Sequence, residues 1–148
     1  MTKKVSSIDL SDSFEKIPVK IHPDIKQGSM AVAREIAALI RDKQKKKLPC
    51  VLGLATGSTP KTLYAELVRM HKEEKLSFKN VVTFNLDEYY PIDNDALQSY
   101  NRFMRANLFD HVDISPKNIH IPNGEIKKED IKSHCNQYEK MIEEAGGI

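Results

Sequence analysis

The sequence predicts an α/β fold built on a mostly parallel β-sheet, and three observations carry that prediction. An apolar run from Cys50 to Ala55 has strand length and no polar alternation, as expected of a strand covered on both faces. Segments of helical apolar periodicity lie before it and between it and the later strand-like runs. Polar, glycine-containing or acidic residues follow two of the strands directly, at the end where parallel sheets bind ligands. A length of 148 residues suits one domain.

Composition narrows the function classes. With 40% hydrophobic and 30% charged residues the chain reads as a soluble globular protein, not a disordered or fibrous one. Lys and Arg number 23 against 21 Asp and Glu, so nothing in the net charge points to nucleic acid or a membrane surface as partner. Cys50 and Cys135 are too few for a disulfide framework or a zinc site, and both read as small buried hydrophobes in a reduced compartment. The opening MTKKVSSIDLSDSFEK has no apolar signal-peptide core, and no apolar stretch approaches membrane-spanning length. The cytoplasm is the expected location.

Residues 1–16 read as a loose lead segment, with the domain following from 17 to 148. Val19 and Ile21 alternate with Lys20 and His22, which predicts a short edge strand. His22-Pro23-Asp24 then stops it and starts a helix whose apolar face holds Met30, Ala33, Ile36, Ala37 and Ile40. Lys43, Lys45, Lys46 and Lys47 suit the negative end of that helix and read as a solvated terminus. After the first buried strand, Pro60 fits the first position of a second helix, with Leu63, Leu67 and Met70 on its inner face.

A second strand is predicted over Val81–Leu86. A loop over 91–98 follows, and Ser99 caps a helix carrying Tyr100, Phe103, Met104 and Leu108. Tyr100, Phe103 and Phe109 read as core rather than as stacking platforms. Ile119–Ile121 is a short strand. The last helix holds Ile131, Cys135, Tyr138 and Ile142 on one face and ends at Gly146-Gly147.

Two strand ends carry candidate chemistry. Thr56-Gly57-Ser58-Thr59 is a small-residue loop between a strand and a helix start, where free N–H groups and the helix dipole favour a phosphate. The spacing is not that of a nucleotide P-loop or a dinucleotide fingerprint. A plain strand-to-helix turn with Thr59 as cap is the competing explanation. At the second end, Asp87 and Glu88 place carboxylates at the ligand edge of the sheet. Extended backbone would point them apart, so one of them reaches a ligand, where it could serve as general base. The competing explanation is a solvated strand end. The five histidines show no metal-ligand spacing, and no metal site is expected.

These motifs resemble those of the glucosamine-6-phosphate deaminases. The likeness runs through Gly53–Pro60, Val82–Tyr89, Ser99–Met104, Leu108–Ile114 and Asn118–Gly124, in order over residues 30–148. It implies a Rossmann-like three-layer sandwich with a mostly parallel sheet, cut off after its first half. It also implies isomerisation and deamination of glucosamine 6-phosphate to fructose 6-phosphate and ammonium, with no cofactor.

By this resemblance Asp87 moves the proton between sugar C2 and C1, and Glu88 plays a supporting part. Thr56, Gly57, Ser58 and Thr59 hold the substrate phosphate; Ser58 stands where glycine is more usual. The partner is a small sugar phosphate, and the full-length protein is expected to be a homo-oligomer. The family's ring-opening aspartate, histidine and glutamate lie in a glycine-rich second half that this sequence lacks, so the 148 residues alone are expected to be inactive. Two other readings share the phosphate loop: a 6-phosphogluconolactonase, which Asn85 and the LDEY motif disfavour, and a non-enzymic sugar-phosphate sensor, which lacks a preceding helix-turn-helix.

Overall fold

Asp24 starts the first helix by accepting a hydrogen bond from the Gln27 N–H at 2.7 Å, and that bond holds its carboxyl below the usual range. The helix, α1, spans Ile25–Lys45 and buries Ala33, Ala37 and Ile40 along one stripe. The structure is a computed structural model that describes residues 18–148. The lead segment expected over 1–16 lies outside the described residues. After α1 come β1 (Cys50–Leu54), α2 (Lys61–Glu74), β2 (Val81–Asn85), α3 (Tyr100–Asn107), β3 (Ile119–His120) and α4 (Ile131–Glu144).

The three strands form a parallel sheet in the order β1-β2-β3. Cys50 pairs with Val81 and Leu54 with Asn85, so the C-terminal ends of β1 and β2 finish level. That common edge presents both candidate loops side by side.

The two faces of the sheet are covered unequally. Cys50, Leu54 and Val81 share a core with α1, with Tyr64, Leu67 and Met70 of α2, and with Met104 of α3. On the other face Phe84 stacks on His120, with ring centroids 4.6 Å apart, and meets Tyr138 of α4 edge-on at 5.7 Å. The Tyr138 hydroxyl donates to the carbonyls of Asn85 (2.9 Å) and His120 (3.0 Å), tying α4 across the ends of β2 and β3. Helix, sheet and helix make three layers, with α4 alone in the third among the described residues.

Several expectations need correction. Val19 and Ile21 form no strand: residues 18–22 pair with no neighbour, Ile21 is 85% exposed, and Lys20 forms an ion pair with Glu35 of α1 instead. Two-residue alternation is a weak signal without an edge in reach. β1 is not covered on both faces, because α4 lies over β2 and β3 and leaves Gly53 exposed beside the Ile148 side chain. Cys135 is exposed and only Cys50 is buried. Tyr138 takes the seat of α4 on the sheet, and Cys135 lies at the margin of that narrow contact. β2 ends at Asn85 and leaves Leu86 exposed, β3 ends at His120, and α2 begins at Lys61 with Pro60 as its cap residue.

The expected termini of α3 and α4 are present. The Ser99 side chain accepts from the Arg102 N–H, and Gly146 and Gly147 adopt positive φ, with the Gly147 N–H bonded to the Ile142 carbonyl.

Candidate functional site

The first loop leaves β1 at Ala55 and enters α2 at Lys61. Tyr64, buried under α2, donates its hydroxyl to the Ala55 carbonyl and fixes the start of the loop from below. Burial pushes its phenol up to about 12, so it stays a donor throughout the physiological range. Gly57 adopts φ +101°, a conformation that L side chains avoid, and the space where a side chain would sit is empty. Thr56 is half-buried, whereas Ser58 and Thr59 are exposed. Among the described residues no hydrogen bond engages the N–H groups from Thr56 to Thr59. Thr59 does not cap α2, and Pro60 offers no side-chain cap either. The Lys61 N–H at the helix start bonds to the Ser58 carbonyl at 3.4 Å, so the donors left free for an anion are those of the loop itself.

The second loop separates the two carboxylates. Glu88 accepts from the N–H groups of Tyr89, Tyr100 and Asn101, each at 2.9 Å, and from the Ser99 hydroxyl at 3.1 Å. It neutralises the orphan donors of the first turn of α3, where a negative charge also suits the dipole. Glu88 is thus a helix cap, and its acceptor capacity is spent. Asp87 is exposed and has no protein partner among the described residues.

One contributor escapes the sequence reading. Tyr100, expected in the core, stands half-buried at the start of α3, its ring 4.8 Å from that of Tyr89. The neighbouring Tyr89 side chain raises the pKa of its hydroxyl, desolvation and the charge of Asp87 add to the rise, and the Thr56 side chain opposes it. The Ser99 cap was the available signal. A residue directly after the cap of a helix that follows β2 stands at the ligand edge of the sheet. Phe103 and Phe109 do pack in the core as expected.

Three histidines have partners of their own, although His134 lines one cavity with Glu88 and Tyr89. His120 is stacked on Phe84, with burial lowering its pKa; His134 accepts from the Asn123 N–H at 3.1 Å; and His71 binds the Leu76 carbonyl through Nδ1 at 2.6 Å. Among the described residues no group of three or more His, Cys, Asp or Glu could hold a metal ion. No helix among them is long and apolar enough to cross a membrane.

Known proteins resemble this chain in sequence and in fold. A glucosamine-6-phosphate deaminase of Treponema denticola is 53% identical over 110 residues, covering 74% of this chain and 40% of that protein. A putative glucosamine-6-phosphate deaminase-like protein of Bacteroides thetaiotaomicron is 48% identical over 135 residues, covering 91% of this chain and 20% of that much longer protein. The solved structure of a monomeric glucosamine-6-phosphate deaminase superposes with a TM-score of 0.77 at 38% identity, covering 84% of this chain and 49% of the other. Solved 6-phosphogluconolactonases share the fold at lower identity. The chain spans half or less of the length of these relatives. The family described as glucosamine-6-phosphate isomerases/6-phosphogluconolactonase matches residues 23–147, and the chain belongs to it.

Proposed function

We propose that this chain supplies the phosphate loop and the proton-transfer base of a cytoplasmic glucosamine-6-phosphate deaminase, whose remaining machinery lies outside these 148 residues. The observation that supports it most is the division of labour at one sheet edge: free loop N–H groups from Thr56 to Thr59, an unengaged Asp87, and Glu88 committed to α3.

The chemistry follows from that arrangement. The phosphate of the substrate sits on the loop N–H groups from Thr56 to Thr59, ahead of α2, and fixes one end of the sugar. In the open-chain amino sugar the C2 proton lies next to the C1 carbonyl and is acidified by it. Asp87 takes that proton while the C1 carbonyl oxygen gains one given up by the C2 ammonium, which forms an enolamine; Asp87 then returns its proton to C1, leaving a hydroxymethyl group at C1 and an iminium at C2. Water then hydrolyses the iminium, releasing ammonium and the ketose phosphate. No step requires a redox partner or a metal.

The test is ammonium release from glucosamine 6-phosphate, with the 148-residue chain and the complete polypeptide assayed side by side. Release by the complete polypeptide and none by the chain alone is the expected pair of results. Hydrolysis of 6-phosphogluconolactone in place of ammonium release would assign the lactonase reading, and binding without turnover would assign a sensor.

Gly57 provides a second check. Because the space around it is open, Gly57→Ala meets no clash and its cost is purely conformational. Forcing an L residue to φ +101° costs about 1–3 kcal/mol and turns the loop N–H groups away from their common focus. The expected result in the complete enzyme is a KM raised by about tenfold or more, with kcat changed far less, read from steady-state kinetics.

A further inference from the structure

Asn85 is the residue that neither the fold nor the proposed chemistry explains. It ends β2 and is only 1% exposed, yet neither its side-chain N–H group nor its side-chain oxygen has a partner among the described residues. A carboxamide offers two donors and an acceptor, and leaving all of them unpaired in a core is unfavourable. Thr83, two positions earlier on the same face, also buries an unpartnered hydroxyl. A strand packed against Tyr64, Leu67 and Met104 would be more stable with an apolar residue at either place.

The position of Asn85 suggests what it does. In the parallel register it lies opposite Leu54, and the Leu86 N–H bonds to the Leu54 carbonyl at 3.3 Å. By strand alternation from Val81 its side chain projects to the face that carries Leu54 and Tyr64, at the strand end where the neighbouring β1 runs on into Ala55-Thr56-Gly57. The backbone of Asn85 is fixed from the opposite face by the Tyr138 hydroxyl. Tyr64 already holds the Ala55 carbonyl on this side, which leaves Thr56 and Gly57 as the unanchored part of the turn. The open space around Gly57 allows their peptide planes to reorient.

We propose that Asn85 is a positioning residue for the phosphate loop: its carboxamide hydrogen-bonds to the Thr56-Gly57 backbone when a phosphate monoester occupies the loop. The amide is unpaired in the free chain and paired in the complex, so the difference adds to phosphate affinity. This rests on the reading of residues 56–59 as the phosphate site.

The test uses the complete polypeptide, titrated with inorganic phosphate and with sorbitol 6-phosphate, a phosphate monoester with no carbonyl to react, while the N–H resonances of Gly57, Ser58 and Thr59 are followed by NMR. Asn85→Leu removes the unpaired amide at similar volume. It is expected to raise Tm by about 2–4 °C and to weaken binding of both ligands about tenfold. Thr83→Val, on the same face but farther from the loop, is expected to leave Kd unchanged. A gain in stability joined to a loss of affinity is not the behaviour of a merely structural residue.

Unchanged Kd in Asn85→Leu overturns the proposal, and so does an equal loss in Thr83→Val. If Asn85→Leu does not fold, Asn85→Ala carries the same Kd comparison. Absence of any response from residues 57–59 in the unaltered chain overturns the phosphate site itself and the proposal with it. Binding in the unaltered chain that Asn85→Leu leaves intact removes only the role of Asn85.

Discussion

Replacing Asp87 by asparagine in the complete polypeptide is expected to lower turnover by about two to four powers of ten, with substrate affinity nearly unchanged. The substitution keeps the shape of the side chain and removes the base. Asp87 is exposed at the sheet edge and makes no hydrogen bond to protein among the described residues, so its loss should not disturb the fold. A denaturation midpoint equal to that of the unaltered protein, beside the collapse in kcat, is the expected pair of measurements. Unchanged turnover would remove Asp87 from the chemistry. A fall confined to KM would make it a binding residue instead.

Glu88→Ala is expected to produce the opposite signature. Its carboxylate accepts from three backbone N–H groups and the Ser99 hydroxyl, and removing it strands four donors, three of them at the start of α3. Loss of a cap and of charge-assisted hydrogen bonds together costs about 2–4 kcal/mol of folding stability. At this chain length that lowers Tm by roughly 4–16 °C. Turnover of the complete enzyme falls as well, because α3 carries Tyr100 to the edge where Thr56 and Asp87 stand. Glu88→Gln retains an acceptor oxygen and is expected to lose about half as much stability. Thermal denaturation and hydrogen exchange at the Tyr100 and Asn101 N–H groups measure this directly. If Glu88→Gln abolished turnover at unchanged Tm, Glu88 would be a reacting group rather than a cap.

The adjacent pair Asp87-Glu88 shows how far a linear reading reaches. The alternation of an extended chain says that the two side chains diverge and that one of them meets a ligand. It does not say where the other goes. That depends on the Tyr100 and Asn101 N–H groups, twelve and thirteen residues further along, which the fold brings against Glu88. Tyr100 was misplaced for a related reason. Helical spacing records which residues share a stripe, but not which end of the stripe opens on a binding edge.

The same distinction accounts for the errors in the sheet. The apolar run at Cys50 gave no indication of how wide the covering layer would be. Cover on the second face depends on α4, and its Tyr138 hydroxyl fastens it over β2 and β3, leaving Gly53 bare. Cys135 belonged to a correct apolar pattern on a helix too narrowly seated to bury all of it.

What the sequence by itself determined is what depends on near neighbours along the chain: the order of strands and helices from α1 onward, the caps at Asp24 and Ser99, the glycine stop at Gly146-Gly147, and the small-residue loop that demands glycine at position 57. Backbone conformation and hydrogen bonds within a few residues decide those features. The tertiary structure alone decided the allocation of polar groups. It committed Glu88 to α3, left Asp87 free, brought Tyr100 beside Thr56, and buried the Asn85 amide without a partner. Each outcome depends on which donor or acceptor from a distant segment arrives within about 3 Å, and local spacing in a chain carries no record of that distance.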